Sequence, residues 1–242
     1  MRGFIRFGRV LGLLAASLLV MGLVSGCVAL IGSGRMETRE YDLAGFEAIR
    51  ASHGFRVEVR QGDEFEVLVT SDDNILDRLE VEVDGDVLSL GLPPGFFTTS
   101  RLEAEVTMPE IREVNASGGS RVSLDGFVEE QDAFRTVVSG GGRISGEIHA
   151  ERIEVSLSGG ARAELSGSGE RLSLSISGGG TGALEDLAVE TVDADLSGGS
   201  QATVNVSEAL DATASGGSTL RYIGDPDIGR ENVSGGSAVR PN

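Results

Sequence analysis

The chain is 242 residues long, with 38 acidic residues against 20 basic ones and a net charge of −18 at pH 7. Every basic residue is Arg, Trp is absent, and there are two His (His53 and His149) and one Cys. Without Lys there is no phosphate-loop lysine, Schiff base or Ser-Lys dyad. One Cys excludes an internal disulfide framework and a multi-Cys metal site, and an acidic, aromatic-poor body argues against a nucleic-acid partner. No motif calls for a cofactor or a metal.

Residues 1–26 read as an export signal. Arg2, Arg6 and Arg9 precede an apolar run from Val10 to Val24, and no acid falls in either part. The run is shorter than the roughly 20 residues that span a bilayer. It ends in the small residues Val24-Ser25-Gly26, and the sole cysteine, Cys27, comes next. A basic start, a short apolar middle and a small-residue end make a secretory signal. The placement of Cys27 resembles the lipobox of bacterial lipoproteins. That resemblance implies cleavage before Cys27, a diacylglycerol on its thiol and a palmitate-type chain on its amine. On the residues alone, an ordinary signal with an incidental Cys, or a short membrane anchor, stays open. Removing three Arg and no acid takes the charge from −18 to −21. Acyl chains contribute about 0.8 kcal/mol per buried methylene, so two or three anchor firmly, while so acidic a body is repelled by an anionic membrane. The expected partner is therefore the membrane, through lipid on Cys27, with residues 27–45 as a tether. Because Val28 rather than Asp comes after the Cys, the resemblance also implies the outer membrane.

Residues 46–110 hold short alternating runs at Phe55–Val59, Phe65–Val69, Leu79–Val83, Val87–Leu90 and Leu102–Thr107. Turn signals separate them, among them Asp84-Gly85, a hairpin signal. Asp72 to Leu79 has room for one helical turn. This region is either a small β domain or the irregular first coils and cap of a solenoid that continues through residues 111–242. The sequence Ala51-Ser52-His53-Gly54, a degenerate Ser-Gly corner, favours the second.

Residues 111–242 are a repeat. Ser-Gly-Gly recurs at Ser117, Ser139, Ser158, Ser177, Ser197, Ser215 and Ser234, at intervals of 22, 19, 19, 20, 18 and 19 residues. Counting back from each Ser, positions −1, −3 and −5 are apolar or small, as in Leu157/Val155/Ile153 and Ile176/Leu174/Leu172, while the alternate positions are mostly polar. A second stripe comes after each triplet at +5 and +7, as in Val122/Leu124 and Ala163/Leu165. A period of two marks strands with one buried face, and the regular interval marks a solenoid. The fold class that satisfies both is all-β: a parallel β-helix of about 19 residues per coil, rungs stacked at roughly 4.8 Å. Glycine serves the tight corner, and stacking would set the seven Ser hydroxyls in register. A polar turn is expected after the second stripe, at Asp125-Gly126, Ser145-Gly146 and Ser166-Gly167. Arg221 to Asn242 is expected to form the terminal, capping region, because Glu231 and Gly229 break the apolar stripe.

The entry Phe46-Glu47-Ala48-Ile49-Arg50, the run from Phe55 to Val69 and the Ser-Gly-Gly ladder together resemble a family of bacterial envelope proteins, the putative auto-transporter adhesin head domains of the GIN type. The resemblance covers about residues 46–236. It implies a right-handed parallel β-helix in a secreted or lipid-anchored protein, and supplies no catalytic residues. Unlike true autotransporters, the protein is expected to lack a membrane-barrel segment.

Two outward rows are candidate interaction sites. Stacking would align Glu154, Asp193, Asp195 and Asp211, where carboxylates could act as acid and base or hold a cation; a solvated acidic face is the plain reading. Arg121, Arg143 and Arg162 all sit at +4 and would stack into a basic ladder, either paired with nearby acids or serving as a docking patch for an acidic glycan or partner. The expected function is a non-enzymatic, lipid-anchored envelope protein whose β-helix presents a surface for adhesion or for protein or glycan contact. The alternative is a polysaccharide-binding or polysaccharide-degrading module using the acidic row around Asp193.

Overall fold

The computed structural model describes residues 28–242, so the export segment and Cys27 lie outside the described residues. From Glu113 onward the chain winds as a parallel β-solenoid. Its central coils are the strands Arg143–Leu157, Arg162–Ile176, Thr181–Leu196 and Gln201–Ala214, each paired in parallel with the next. The period-two pattern produces this directly, because alternate side chains leave opposite faces of a strand. Positions −5, −3 and −1 of successive repeats become vertical columns. One runs Phe134, Ile153, Leu172, Val192, Leu210, and another Val138, Leu157, Ile176, Leu196, Ala214. All ten side chains are buried. Burying a Val, Leu, Ile or Phe side chain contributes roughly 1.5–3 kcal/mol, so the columns hold the coils together alongside the backbone ladder. In the column between them Thr136 takes an apolar place, and its hydroxyl donates to the Val114 carbonyl at 3.0 Å. The polar atom is thereby satisfied in the core.

The turn expected after the second stripe forms only once. At Asp125-Gly126 the strand does stop, with φ 86° at Gly126, and the chain resumes in the same coil at Gln131. At Ser145-Gly146 and Ser166-Gly167 the strand continues and merely bends. There the parallel pairing of Gly146 with Leu165 and of Ile148 with Gly167 is kept through the bend, and the ladder from Ser166-Gly167 to the next coil shifts register without the chain turning.

The stack begins earlier than the first Ser-Gly-Gly. Ala48–Ala51 pairs in parallel with Glu113–Ala116, and Arg56–Gln61 with Arg121–Asp125. Ser52-His53-Gly54 is the corner between them, with φ 59° at His53 and 84° at Gly54. One more parallel rung covers this coil, Val87–Gly91 on Ala48–Ala51 and Glu103–Met108 on Arg56–Gln61, and beyond it the pairing becomes antiparallel. Glu66–Asp72 lies between Glu103–Met108 and Met36–Glu40, and Glu80–Asp84 forms a hairpin with Val87–Gly91 across Gly85. The change of direction closes the stack at this end, where a further parallel rung would otherwise be templated. Phe46, Phe55, Ile75 and Leu76 fill the closed end, and Phe46 meets the Phe65 ring at a centroid distance of 4.9 Å.

The stretch read as a tether is pinned to the body. Val28–Leu30 pairs with Phe96–Thr98, and Met36–Glu40 with Glu66–Asp72. The single-turn helix Asp73–Leu76 fastens the chain between them. Asn74 receives the Ser33 N–H at 2.9 Å and donates to the Ile31 carbonyl at 2.8 Å. The Asp73 carboxyl accepts from the Ser33 hydroxyl and pairs with Arg35. These contacts, the Ser33 hydroxyl foremost, hold it below its ordinary value. At the opposite end Asp227–Val233 and Ala238–Pro241 form the last rung, and Asp227–Val233 is exposed along its length because no coil covers it.

Candidate functional site

The corner serines stack in register through their backbones. The N–H of each of Ser117, Ser139, Ser158, Ser177, Ser197, Ser215 and Ser234 donates to the preceding coil at 2.9 Å. The first glycine of every triplet has positive φ, from 57° at Gly118 to 85° at Gly178. The hydroxyls that bond at the corners belong to a position the repeat had not suggested, three residues after the Ser. Ser200 donates to the carbonyls of Ile176 (3.2 Å) and Ser197 (2.5 Å), Ser218 donates to Ser215 at 2.6 Å, and Ser120 accepts from the Gly54 N–H at 3.2 Å. All three are fully buried. The same position holds Gly142, Ala161 and Gly180, also buried, and in the last coil the half-buried Ser237, whose hydroxyl accepts from the N–H groups of Gly217 and Ser218. The inward corner thus admits only small residues, and a Ser there fits because its hydroxyl meets a backbone carbonyl or N–H. The available signal was the fourth letter of the motif, which is always Ser, Gly or Ala.

The acidic residues do not form one continuous row. Glu154, Ser173, Asp193 and Asp211 stack in that order, after Arg135, whereas Asp195 lies on the neighbouring row between Ser175 and Thr213. Arg135 approaches Glu154 at 3.6 Å. Arg230, from the last rung, donates through Nη2 to Asp193 at 2.8 Å and through its backbone N–H to Asp211 at 2.5 Å. Glu154, Asp193 and Asp211 each therefore have an arginine partner. Among the described residues no group of three or more His, Cys, Asp or Glu side chains is gathered to hold a metal ion. His149 is tied to Ser168 at 2.8 Å and to Glu147 at 3.2 Å. His53 Nδ1 accepts from the Leu92 N–H at 3.3 Å and lies 2.8 Å from the Ser52 hydroxyl. Both histidines brace local structure.

The arginines behave differently. Arg121, Arg143 and Arg162 are consecutive register partners, and Arg56 precedes them in the same column. Arg56 was missed because its coil has no Ser-Gly-Gly. It nevertheless stands four residues after Ser52, the same offset as the other three from their own Ser. The four line an open groove of 220 Å³ with Ser123, Ser145 and Glu164. The outer two are neutralised, Arg56 by Glu103 at 3.0 Å and Arg162 by Glu164 at 2.5 Å. Arg121 and Arg143 are exposed, and among the described residues neither forms an ion pair within 4.0 Å. The adjacent outward row runs Glu58, Ser123, Ser145, Glu164. Its Glu58 is held by Arg60 at 3.0 Å.

Three comparisons place the chain. Its fold matches a solved structure described as a putative adhesin from Bacteroides fragilis, at 20% identity and TM-score 0.82, over 88% of this chain and 100% of that one. A putative adhesin from Parabacteroides merdae matches at 20% identity and TM-score 0.71, over 88% and 99%. A putative lipid binding protein from Parabacteroides distasonis matches at 20% identity and TM-score 0.70, over 89% and 100%. No curated protein matches the chain. Among the described residues no helix is long and apolar enough to cross a membrane. The family model described as putative auto-transporter adhesin, head GIN domain, matches residues 45–226, which span both the antiparallel cap and the Ser-Gly-Gly coils. The chain belongs to that family.

Proposed function

We propose that this protein is a non-enzymatic, lipid-anchored cell-envelope adhesin whose solenoid presents an extended surface for protein or glycan contact. The observation that carries the reading is the parallel stacking of the coils from Arg143 to Ala214, shifted in register only near Ser166, Asp186 and Glu190, which turns single outward residues into repeated rows on a stiff body. Such rows suit display: a flat, repetitive face offers many weak contacts, and the stacked core keeps them in a fixed arrangement. The acidic row is not proposed as a catalytic site, because Arg135 and Arg230 already occupy its carboxylates.

The anchor is proposed at Cys27, in the outer membrane, from the short apolar run and the sole cysteine directly after it. Pinning of residues 28–40 to the cap supports the arrangement, since the cap then faces the membrane and the last coil points away. Cys27→Ser is expected to move the protein from the membrane fraction to the soluble fraction, with near-complete loss of metabolic labelling by palmitate. Retention in the membrane with no label would contradict the anchor. The surface role is tested by adding the purified mature protein to intact cells and measuring saturable binding; none on any cell or matrix surface would contradict adhesion.

A further inference from the structure

We propose that the groove over Arg121 and Arg143 binds one sulfate or phosphate ester group carried on a surface glycan. This deepens the adhesin reading and rests on it for the glycan. Adjacent rungs of a parallel sheet stand about 4.8 Å apart, and like charges stacked directly on one another are unfavourable. A row of arginines is normally relieved by acids between them. Here the nearby acids are already engaged: Glu103 with Arg56, Glu58 with Arg60 and Glu164 with Arg162. Two uncompensated guanidinium groups therefore sit side by side on a chain whose net charge is −18. An anion supplied from outside is the missing partner.

The chemistry of the anion is set by the donors. Two neighbouring guanidinium forks present several parallel N–H groups, which match the oxygens of a tetrahedral sulfate or phosphate through paired charge-assisted bonds. Ser145, on the adjacent row at the rung of Arg143, adds a hydroxyl. The extent of the ligand is set by the ends. Glu103 lies beyond Arg56, and Glu164 flanks Arg162, so a continuous polyanion along the column would meet carboxylates on both sides. One isolated charged group on an otherwise neutral scaffold avoids them. The volume of 220 Å³ is small beside the roughly 300–1,000 Å³ of drug-sized sites, and fits an ester group with part of one sugar. Val122 and Ile144, the apolar residues of the lining, are buried, and the apolar surface the groove exposes is too small to seat an acyl chain.

The test uses the mature protein in detergent micelles, titrated with glucose 6-sulfate, glucose 6-phosphate, glucose and glycerophosphoglycerol, the free headgroup of phosphatidylglycerol. The ester sugars are expected to bind and glucose not to. Arg121→Ser with Arg143→Ser should weaken ester binding at least about ten-fold, given that a charge-assisted bond contributes roughly 1.5–3 kcal/mol; Arg171→Ser, on another row, should leave it unchanged. At low salt the double variant should melt no lower than the parent. A clear fall in its melting temperature would mark the two arginines as structural and overturn the proposal, as would absence of ester binding, ester binding that the double variant keeps, or equal binding of the headgroup. Equal adhesion to cells by parent and double variant would overturn the groove and leave adhesion standing. Arginine-dependent ester binding by a protein that adheres to nothing would support the groove and remove the adhesin reading.

Discussion

Replacing Gly178 by Ala is expected to destabilise the solenoid by about 2–3 kcal/mol, whereas the same change at its neighbour Gly179 should stay within about 1 kcal/mol. Both glycines belong to one Ser-Gly-Gly triplet and both face outward, so composition and burial do not separate them. The backbone does. Gly178 has φ 85°, and a Cβ there would lie 3.0 Å from the Gly159 nitrogen and 3.1 Å from its Cα. Those atoms are the corner of the coil beneath, fixed by the bond from Gly179 N–H to Gly159 O at 2.9 Å. Strain from the left-handed conformation and crowding against immovable backbone therefore add. Gly179 does not have positive φ, and a Cβ on it would meet only the Gly159 oxygen at 3.9 Å, an ordinary contact. For a chain of this size the first change should lower the melting temperature by roughly 5–10 °C. Calorimetry of the two variants side by side checks it, and equal effects would contradict this account of the corner.

Phe134→Ala should cost more, about 3–5 kcal/mol. Phe134 is the largest residue of its column and is 1% exposed, with Ile153 as its register partner in the next coil. The rest of that column holds the smaller Leu172, Val192 and Leu210, each already fixed by its own rung, so the void cannot be filled by sliding a neighbour inward. Repeat arrays are held by nearest-neighbour interfaces, and the damage should fall on the coils next to Phe134. Hydrogen exchange should show it as faster opening of Gln131–Val138 and Arg143–Leu157 than of Gln201–Ala214. Uniform loss of protection along the whole stack would argue against coil-by-coil coupling. Val128→Ala, at a side chain 61% exposed in the preceding turn, should be close to neutral.

The architecture was readable because the repeat binds two independent signals together. Ser-Gly-Gly fixes where each coil turns, and the apolar residues at −1, −3 and −5 fix which face is inside; either alone fits several folds. Where the second signal weakens, so does the reading. The cap could not be drawn from its sequence, because a period-two run is the same in a parallel and an antiparallel strand. What distinguishes Glu66–Asp72 from Arg56–Gln61 is which partner its ladder finds, and that is decided by the closed end of the stack. The bends at Gly146 and Gly167 looked like turns for a related reason. Glycine marks both, and only the continuing ladder across Ile148 and Gly167 shows that the chain does not reverse.

The surface was legible in the same uneven way. The stacking of Arg121, Arg143 and Arg162 is dictated by equal offsets within the repeat. Arg56 escaped because His53 stands where the other corners carry Gly, which hid the coil although its +4 position was in phase. The pairing of the acids is not legible in the sequence, because the partner of Asp193 and Asp211, Arg230, comes from the terminal rung, whose apolar stripe is broken. The buried corner serines, Ser120, Ser200 and Ser218, lay one letter beyond the triplet that drew attention.

The central claim is the register of one coil on the next, and paired cysteines report on it directly. Ser156 and Ser175 are register partners on one outward row, whereas Ser156 and Ser173 are diagonal neighbours. Partners in a parallel ladder bring their Cα atoms to about 4.8 Å, within reach of a disulfide, and a diagonal pair at roughly 7–8 Å is too far apart. In a Cys27→Ser background, Ser156→Cys with Ser175→Cys should close a disulfide under mild oxidation, read by mass spectrometry of the trypsin digest, and Ser156→Cys with Ser173→Cys should stay reduced. Closure of the diagonal pair in preference to the register pair would show that the coils do not stack in this register.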